Sequence, residues 1–337
     1  MNDVLVAGAG PVGLAVAIAA AQAGLQVQVV DPRTTPIDKA CGEGLMPEAL
    51  DRLARLGIDP EGRDFTGIRY IAPGHAALAH FSSGPGRGVR RTVLQAQMQA
   101  RAEQLGVCFA KGRITELVQG SDSVEVQGFS ARYLVGADGL HSQVRSALHI
   151  PTTTGPRHRF GIRQHFAVQP WADVVEVYWL PDAELYVTPI DDSTVGVAVL
   201  GAAPLDLDDA IARVPALAWR LNLAARVSSP RGAGPMHVHV AQKRVGRALL
   251  VGDASGYVDA LTGEGLRVGF AQAHAAVACI VANELGGYER EWKRITRSYR
   301  ILTSSLLLAA RNKRMRGTIV PVAQMLPRMF SQIVNLL

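Results

Sequence analysis

The pattern of apolar and polar residues divides the start of the chain into three parts. Val4 to Ala7 is a short apolar run, which is typical of a buried parallel strand. Leu14 to Ala23 is rich in alanine and is followed by Gly24, as in a helix that stops at a glycine. Leu25 to Val30 is a second apolar run, and Asp31 ends it. The pattern predicts a β-α-β unit.

This stretch is also free of charge from Asp3 to Asp31, and about 20 apolar residues suffice to cross a bilayer. Its glycines favour a dinucleotide site instead. Gly8, Gly10 and Gly13 form G-x-G-x-x-G, which provides a tight turn, close backbone approach to a pyrophosphate and close packing of helix on strand. Phosphates would rest on the helix N-terminus. Asp31 lies near the usual spacing of about 20 residues for the acid that binds ribose.

Similar patterns continue along the chain and predict an α/β fold. A nucleotide-binding Rossmann-like domain is assembled from separated segments, an antiparallel β-rich domain is inserted between them, and helices close the chain. The expected segments are 1–63, 88–155 and 237–290 for the first domain, 64–87 and 156–236 for the second, and 291–337 for the closing helices. The expected elements are helices at 46–57, 95–105 and roughly 264–283, and strands at 65–71, 77–81, 107–110, 113–118, 123–127, 132–135, 247–251 and at least four within 159–200.

Composition adds several limits. A length of 337 residues suits roughly two domains, and 48% hydrophobic residues suffice for a large core. Cys41, Cys108 and Cys279 are odd in number and far apart, which favours a reducing, cytoplasmic location. No CxxC or histidine cluster is present, so no metal is predicted. Aromatic residues make up only 6%, which speaks against nucleic-acid binding.

Positive charge is concentrated at the end of the chain. From residue 290 onward there are ten Lys or Arg residues and one acid, Glu291, whereas the whole chain carries +6. A solvated surface explains this, and so does contact with an anionic membrane surface, an acidic partner or a long amphiphilic substrate. The last twenty residues are strongly apolar. Pro321 and Pro327 are expected to break them into short pieces.

Two more strand-loop-helix segments are visible, at Tyr133–Arg145 and Arg247–Gly269. Asp138 follows the first strand beside glycine, where an aspartate forms a turn or contacts a ligand. Asp253 follows the second strand and is able to accept hydrogen bonds from hydroxyls. The turn at 263–266 precedes a helix whose N-terminus favours anions.

Together, the three segments resemble the FAD proteins of the glutathione-reductase type, and within them the aromatic-hydroxylase-like flavoproteins of the p-hydroxybenzoate hydroxylase fold, over roughly residues 1–285. The resemblance implies FAD as cofactor and NADPH or NADH as reductant, with no separate Rossmann domain for the latter. It places Arg91, in R-x-x-L-x-x-x-M, against FAD, Ile114 near adenine, and Asp138 in a stretch associated with both FAD and NAD(P)H. The implied FAD contacts are Gly8, Gly10, Pro11, Val12, Gly13, Asp31, Arg33, Arg91, Ile114, Asp138, Gly139, Asp253, Gly263, Glu264, Gly265 and Leu266.

The hydroxylases usually show the stretch G-D-A-A-H-x-x-x-P. In this chain, Gly256 and Ala260 stand where that stretch has His and Pro. GDASGYVDALTGEG and the C-G-E-G-L stretch at residues 41–45 resemble the geranylgeranyl-reductase and flavin-halogenase branch. The halogenase signature W-x-W-x-I-P is missing, and a surface role is expected for Lys39.

Several candidate residues keep more than one interpretation. Cys41 is a small buried hydrophobe, a flavin or substrate contact, or a proton donor. Glu43 and Glu264 are turn carboxylates, or they orient a phenol or relay a proton. Tyr178, Trp179 and Tyr186 belong either to the core or to a substrate pocket.

The expected activity is an FAD-dependent monooxygenase that uses NAD(P)H and O2, through a flavin C4a-hydroperoxide, on an aromatic or phenolic substrate of polyketide or lipid-like kind. The first alternative is an FAD-dependent reductase of isoprenoid double bonds, supported by Cys41 and its C-G-E-G-L stretch. Further alternatives are a flavin-dependent halogenase and a non-catalytic prenyl or lipid carrier.

Overall fold

The structure is a computed structural model that describes residues 1–155 and 158–336. The strands are β1 Asn2–Ala7, β2 Val27–Asp31, β3 Gly44–Leu45, β4 Arg63–Phe65, β5 Gly67–Ala72, β6 His75–His80, β7 Gly86–Gly88, β8 Cys108–Lys111, β9 Val118–Gln119, β10 Val124–Val126, β11 Phe129–Gly136, β12 Thr152–Thr154, β13 Arg159–Ala167, β14 Val175–Trp179, β15 Ala183–Asp191, β16 Thr194–Ala202, β17 Ala225–Arg226, β18 Arg231–Ala233, β19 Val238–Val240, β20 Arg244–Val245 and β21 Ala248–Leu250. The helices are α1 Pro11–Gln22, α2 Pro47–Arg55, α3 Arg91–Gln104, α4 Gln143–Ala147, α5 Leu207–Ala212, α6 Pro215–Leu221, α7 Gly265–Val281, α8 Tyr288–Arg311, α9 Lys313–Met325 and α10 Pro327–Val334.

The first sheet carries the three glycine-bearing loops. Its order is β20-β21-β11-β1-β2-β8, and β21, β11, β1, β2 and β8 run parallel. From β1 the chain continues to β2 on one side of the sheet, whereas β11 and β21 are added on the other side. The loops after β1, β11 and β21 therefore meet at one edge of the sheet. Such a switch point is where open α/β sheets bind ligands. The predicted β-α-β unit and Rossmann-like sheet are therefore confirmed.

The second sheet has the order β17-β13-β16-β15-β14-β5-β6, and β18 also pairs with β13. It is antiparallel as expected, except that β14 and β5 run parallel. These two strands come from distant parts of the chain, so no hairpin constrains their direction. The strands lie within the two segments expected for the inserted domain, whose exact boundaries stay a prediction.

Some expected elements differ from the structure. The strand predicted at 113–118 is reduced to Val118–Gln119, while the other two strands of that meander form. Helix α3 begins at Arg91, four residues before the expected start. Pro321 lies inside α9 and does not end it, although proline removes one helical hydrogen bond, so the break expected at this residue does not form. Among the described residues, no helix is both long and apolar enough to span a bilayer.

Candidate active site

A large cavity, about 260 Å³, lies between the two sheets. One side is formed by the loops at the switch point of the first sheet, and the other by the face of the second sheet. The cavity therefore joins the expected cofactor site to a space beside it for a substrate.

The loop after β1 is shaped by glycine. Gly8 has a φ of 108°, a region that side chains rarely adopt. A Cβ added to Gly13 would lie 1.9 Å from the carbonyl oxygen of Gly8. Pro11 begins α1, and Gly10, Pro11 and Val12 line the cavity. The backbone is thus shaped to bring an anionic group against the N-terminus of α1.

Two buried polar atoms beside this loop fit a missing ligand. Within the described residues, Nε of Arg91 and Oδ1 of Asp138 have no hydrogen-bond partner. The guanidinium of Arg91 lies 3.6 Å from where a Cβ on Gly10 would stand. Burial lowers the pKa of Arg91, although nearby acidic groups oppose this. A cation buried beside a helix N-terminus suits a pyrophosphate, so these residues fit FAD.

Asp138 and Gly139 line the cavity at the end of β11. The other carboxylate oxygen of Asp138 accepts hydrogen bonds from the backbone N–H groups of Gln143 and Val144 at 2.7 and 3.1 Å. Asp138 thus stabilises the start of α4 with one oxygen, and its other oxygen has no partner among the described residues, so its contact with a ligand stays a prediction.

Asp31 is held in place at the end of β2. It accepts a hydrogen bond from the backbone N–H of Ala9 at 2.8 Å, and the side chain of Arg33 binds both of its oxygens at 2.8 and 2.9 Å. Burial raises the pKa of Asp31, but these hydrogen bonds outweigh it and hold the pKa below its usual value. Arg33 lines the cavity, while Ile114 is buried in the core beside Val30. Binding of ribose hydroxyls to Asp31 requires Arg33 to give up part of its contact.

The third loop closes the cofactor end. Gly263, Gly265 and Leu266 line the cavity around the start of α7. Asp253 accepts a hydrogen bond from Nζ of Lys39 at 3.3 Å. Lys39 lines the cavity while 35% of its side chain is exposed, so the surface role expected for it stays a prediction.

Glu264 differs from its neighbours because its side chain is buried beneath the cavity lining. It forms an ion pair with Arg267. Burial raises its pKa to about 7 in spite of that pair. The structure thus places the backbone of this turn, rather than the Glu264 carboxylate, toward the cavity.

The C-G-E-G-L stretch lies over the same cavity. Cys41 is half-buried, and its sulfur accepts a hydrogen bond from the backbone N–H of Glu43 at 3.4 Å. Glu43 is only 3% exposed and has a φ of 60°. Its carboxylate accepts a hydrogen bond from the backbone N–H of Arg91 at 2.8 Å and contacts Nε2 of His165 at 2.6 Å. Glu43 is thus a fixed, buried carboxylate at the cavity wall.

His165 and its neighbour Arg163 were missed by the sequence analysis. Both lie on β13, more than a hundred residues from Glu43, and Arg163 binds Asp38 at 2.5 Å. The signal available in the sequence is that they alternate along an otherwise largely apolar strand, which places them on one face.

The wall formed by the second sheet is mainly apolar. Of the aromatic residues predicted for the pocket, Tyr186 lines the cavity, and its hydroxyl donates to the carbonyl of Leu261 at 2.9 Å. Apolar and aromatic residues of this wall include Ile68, Tyr70, Val175, Val177 and Leu200 on the strands, and Met236 in the loop after β18.

The pocket roles expected for Tyr178 and Trp179 are corrected by the structure. Successive residues of a strand point to opposite faces, so Tyr178 faces away from Val177 and donates to Glu176 at 2.8 Å. Trp179 is on the cavity face but lies beyond the cavity, with its ring 5.3 Å from that of Tyr70. Both residues belong to the core.

Comparison with known proteins assigns the family. Residues 1–293 match the FAD binding domain family. The chain belongs to this family. It is 29% identical to the menaquinone reductase of Mycolicibacterium smegmatis over 86% of this chain and 79% of that protein. It is 27% identical to digeranylgeranylglycerophospholipid reductase 1 of Methanothermobacter thermautotrophicus over 86% and 81%.

The fold is shared with a flavoprotein/dehydrogenase from Cytophaga hutchinsonii. The TM-score is 0.83, with 17% identity, over 99% of this chain and 92% of that one. Family and cavity together show an FAD-dependent oxidoreductase, so the expected fold, cofactor and enzyme class are confirmed.

Proposed function

We propose that this FAD-dependent oxidoreductase reduces a double bond of an isoprenoid lipid or quinone. The observation that carries the proposal is the apolar wall of β5, β14 and β16, which meets the cofactor end of the cavity beside Cys41 and Glu43. An unfunctionalised hydrocarbon chain needs such a wall, since it offers no group for hydrogen bonding. Two curated relatives are named as reductases of a quinone and of a geranylgeranyl lipid, which supports the same choice.

When bound and reduced by NADPH or NADH, FAD supplies two electrons and one hydrogen to the double bond. The chain must orient the double bond, exclude water and provide the second hydrogen as a proton. The apolar wall performs the first two tasks. Glu43 and Cys41 are the ionisable groups that the C-G-E-G-L stretch places at the cavity wall.

Hydroxylation of a phenolic substrate with O2, the activity first expected, is the second candidate. The buried pair of Glu43 and His165 favours it, because a carboxylate held by a histidine is suited to accept the proton of a phenol. The two activities differ in their need for oxygen, so one experiment separates them.

The test is to reduce the FAD-loaded protein with NADPH or NADH without oxygen, and then to add menaquinone or a geranylgeranyl lipid in detergent. We expect the flavin absorbance to return without oxygen and the lipid to gain two hydrogens by mass spectrometry. A flavin that stays reduced until oxygen is admitted, followed by labelled oxygen in a resorcinol-type phenol, would replace reduction with hydroxylation.

We also infer that the C-terminal helices contact an anionic lipid surface. Exposed apolar side chains recur there every seven residues, amid the basic residues that follow position 290. The opposite sides of α8, α9 and α10 are buried against the body of the protein. An exposed apolar row flanked by Lys and Arg suits a membrane interface. The row is a series along the sequence and consists of Ile301 and Leu308 on α8, Met315 and Val322 on α9, Met329 on α10, and Leu336 after it.

A further inference from the structure

A hydrogen-bonded path leads from the cavity to the surface of the protein. Glu43 lines the cavity, and its carboxylate contacts Nε2 of His165 at 2.6 Å. The other ring nitrogen, Nδ1, contacts the hydroxyl of Ser228 at 2.9 Å. Ser228 is half-buried, in the segment that joins β17 to β18, whereas Glu43 and His165 are buried. The path therefore leads from a buried carboxylate at the cavity wall to a half-buried serine in an exposed segment.

The surroundings of His165 determine which nitrogen carries the hydrogen. Nη1 of Arg163 lies 3.2 Å from Nδ1. A guanidinium has donors only, so Nδ1 is an acceptor. The hydrogen of the neutral ring is then on Nε2 and is donated to Glu43. The oxygen of Ser228 accepts from the backbone N–H of His165 at 3.0 Å, which leaves the serine hydrogen free to point at Nδ1.

Two positively charged side chains, from two different elements, lie beside this path. Each of them has an acidic side chain near it. Nη2 of Arg163, on β13, lies 3.6 Å from the Glu43 carboxylate, and Arg91 contributes charge from α3. Asp38 offsets Arg163, and Asp253 faces Arg91. The path therefore runs between two arginines and their acidic partners.

We propose that Glu43, His165 and Ser228 conduct protons from solvent to the cavity, and that Glu43 is the immediate proton donor. The inference rests on the reductase function proposed above. One alkene carbon receives a hydrogen with two electrons from the reduced cofactor, which returns to FAD. The Nε2 hydrogen of His165 moves to the Glu43 carboxylate and from there to the other carbon as a proton, while the Ser228 hydrogen moves to Nδ1 and water replaces it. Before the next turnover, His165 gives its Nδ1 hydrogen to water and takes one from water on Nε2, which restores the starting tautomer.

The alternative donor, Cys41, is not part of this path. Its sulfur accepts the backbone N–H of Glu43, and among the hydrogen bonds of the described residues it has none to His165 or Ser228. A thiol at this position would have to be recharged from the cavity itself, which the substrate occupies. The path assigns the donor role to Glu43 and leaves contact with the substrate or flavin to Cys41.

The test compares two half-reactions in Glu43→Gln, His165→Ala and Ser228→Ala. Flavin reduction by NADPH requires no proton from this path, so each rate of lipid reduction is compared with the rate of flavin reduction in the same variant. Reduction of menaquinone or the geranylgeranyl lipid is expected to slow by about 10²-fold in the first two variants and less in the third. The solvent isotope effect should increase, and added imidazole should restore part of the rate of His165→Ala.

Gln164→Met is the matched control. Gln164 neighbours His165 and donates to the backbone carbonyl of Ser228 at 2.8 Å, so its loss loosens the same segment without interrupting the path. A purely structural role predicts that this control slows lipid reduction as much as His165→Ala does. Wild-type rates and isotope effects in Glu43→Gln and His165→Ala would overturn the relay and leave the reductase function standing.

A second readout does not depend on turnover. Nitrogen NMR of His165 in the full-length protein should show a neutral ring with the hydrogen on Nε2, and Ser228→Ala should slow exchange of that hydrogen with D2O. A hydrogen on Nδ1, or unchanged exchange, would overturn the relay. If the wild-type protein reduces neither lipid, the proposed function fails, and the NMR result alone decides the relay.

Discussion

The two sides of the cavity are built in different ways. The cofactor side consists of loops whose backbone shapes the cavity, at Gly8–Gly13, Gly136–Gly139 and Gly263–Leu266. The substrate side consists of side chains on strands that are far apart in the chain but adjacent in the second sheet. A loop whose backbone conformation requires glycine tolerates almost no substitution, whereas a wall of apolar side chains tolerates exchange for many other apolar residues. The first side therefore defines the family, and the second is free to define the substrate.

The largest effect is expected from Gly13→Ala on the cofactor side. The new Cβ would lie 1.9 Å from the carbonyl oxygen of Gly8, so α1 must shift. We expect loss of bound FAD after gel filtration and a lower free energy of unfolding by about 1–3 kcal/mol or more. Gly286→Ala is the control, because its Cβ would meet open space. Normal FAD content in Gly13→Ala would mean that the loop is not closely packed.

A smaller effect is expected from Val177→Thr on the substrate side, and it concerns binding of the lipid rather than binding of FAD. The variant keeps the shape of the side chain but places an unpaired hydroxyl in the apolar wall, which costs about 1–3 kcal/mol. We expect an increase of about tenfold in the KM for an apolar lipid, with unchanged FAD affinity. Tyr178→Phe, on the other face of β14, should leave the KM unaltered. An equal rise in both variants would contradict the assignment of the two faces.

The inferred membrane surface extends the comparison to the outside of the molecule. Leu308 is 67% exposed in the apolar row, and Leu308→Ser should weaken co-sedimentation with anionic vesicles by several-fold. Leu223→Ser is the matched control, because Leu223 is 95% exposed but lies away from the C-terminal helices. Binding should decline with salt, since Lys and Arg contribute. No binding of the wild-type protein at low salt would refute the surface.

The smallest effect concerns the buried acid beneath the cofactor loops. Burial raises the pKa of Glu264 from its ordinary 4.5 to about 7, so the folded protein binds this proton more tightly than the unfolded chain does. Its contribution to stability is complete below about pH 4.5 and is lost as the pH rises to about 7. Glu264→Gln should remove this loss and raise the free energy of unfolding at pH 8 by about 1–2 kcal/mol in urea titrations.

Glu48→Gln is expected to change the free energy of unfolding in the opposite direction. Glu48 also binds Arg267, but burial affects it less than its two arginine partners do, and they hold its pKa below the usual value. This variant should lose a little stability at neutral pH. A gain in Glu48→Gln, or a pH-independent effect in Glu264→Gln, would contradict the assignment.

The sequence predicted the cofactor side well. The loops after β1, β11 and β21 were each recognised from glycines and an aspartate close together in the chain. Arg91 was identified from the resemblance, and the structure adds its unpartnered Nε beside Gly10. Less was predicted on the other side. The sequence left open whether Tyr178 belongs to the core or to the pocket, because the composition of a strand is visible in the sequence but the orientation of its side chains is not.

By itself, the sequence determined the β-α-β unit, the three loops and the cofactor, because the required φ angles and close backbone contacts act over a few neighbouring residues. Only the tertiary structure decided that Glu43, His165 and Ser228 meet, and that Val177 rather than Tyr178 faces the cavity. The reason is physical. Those contacts depend on the pairing of distant strands, and a shift of one residue in a strand exchanges its two faces.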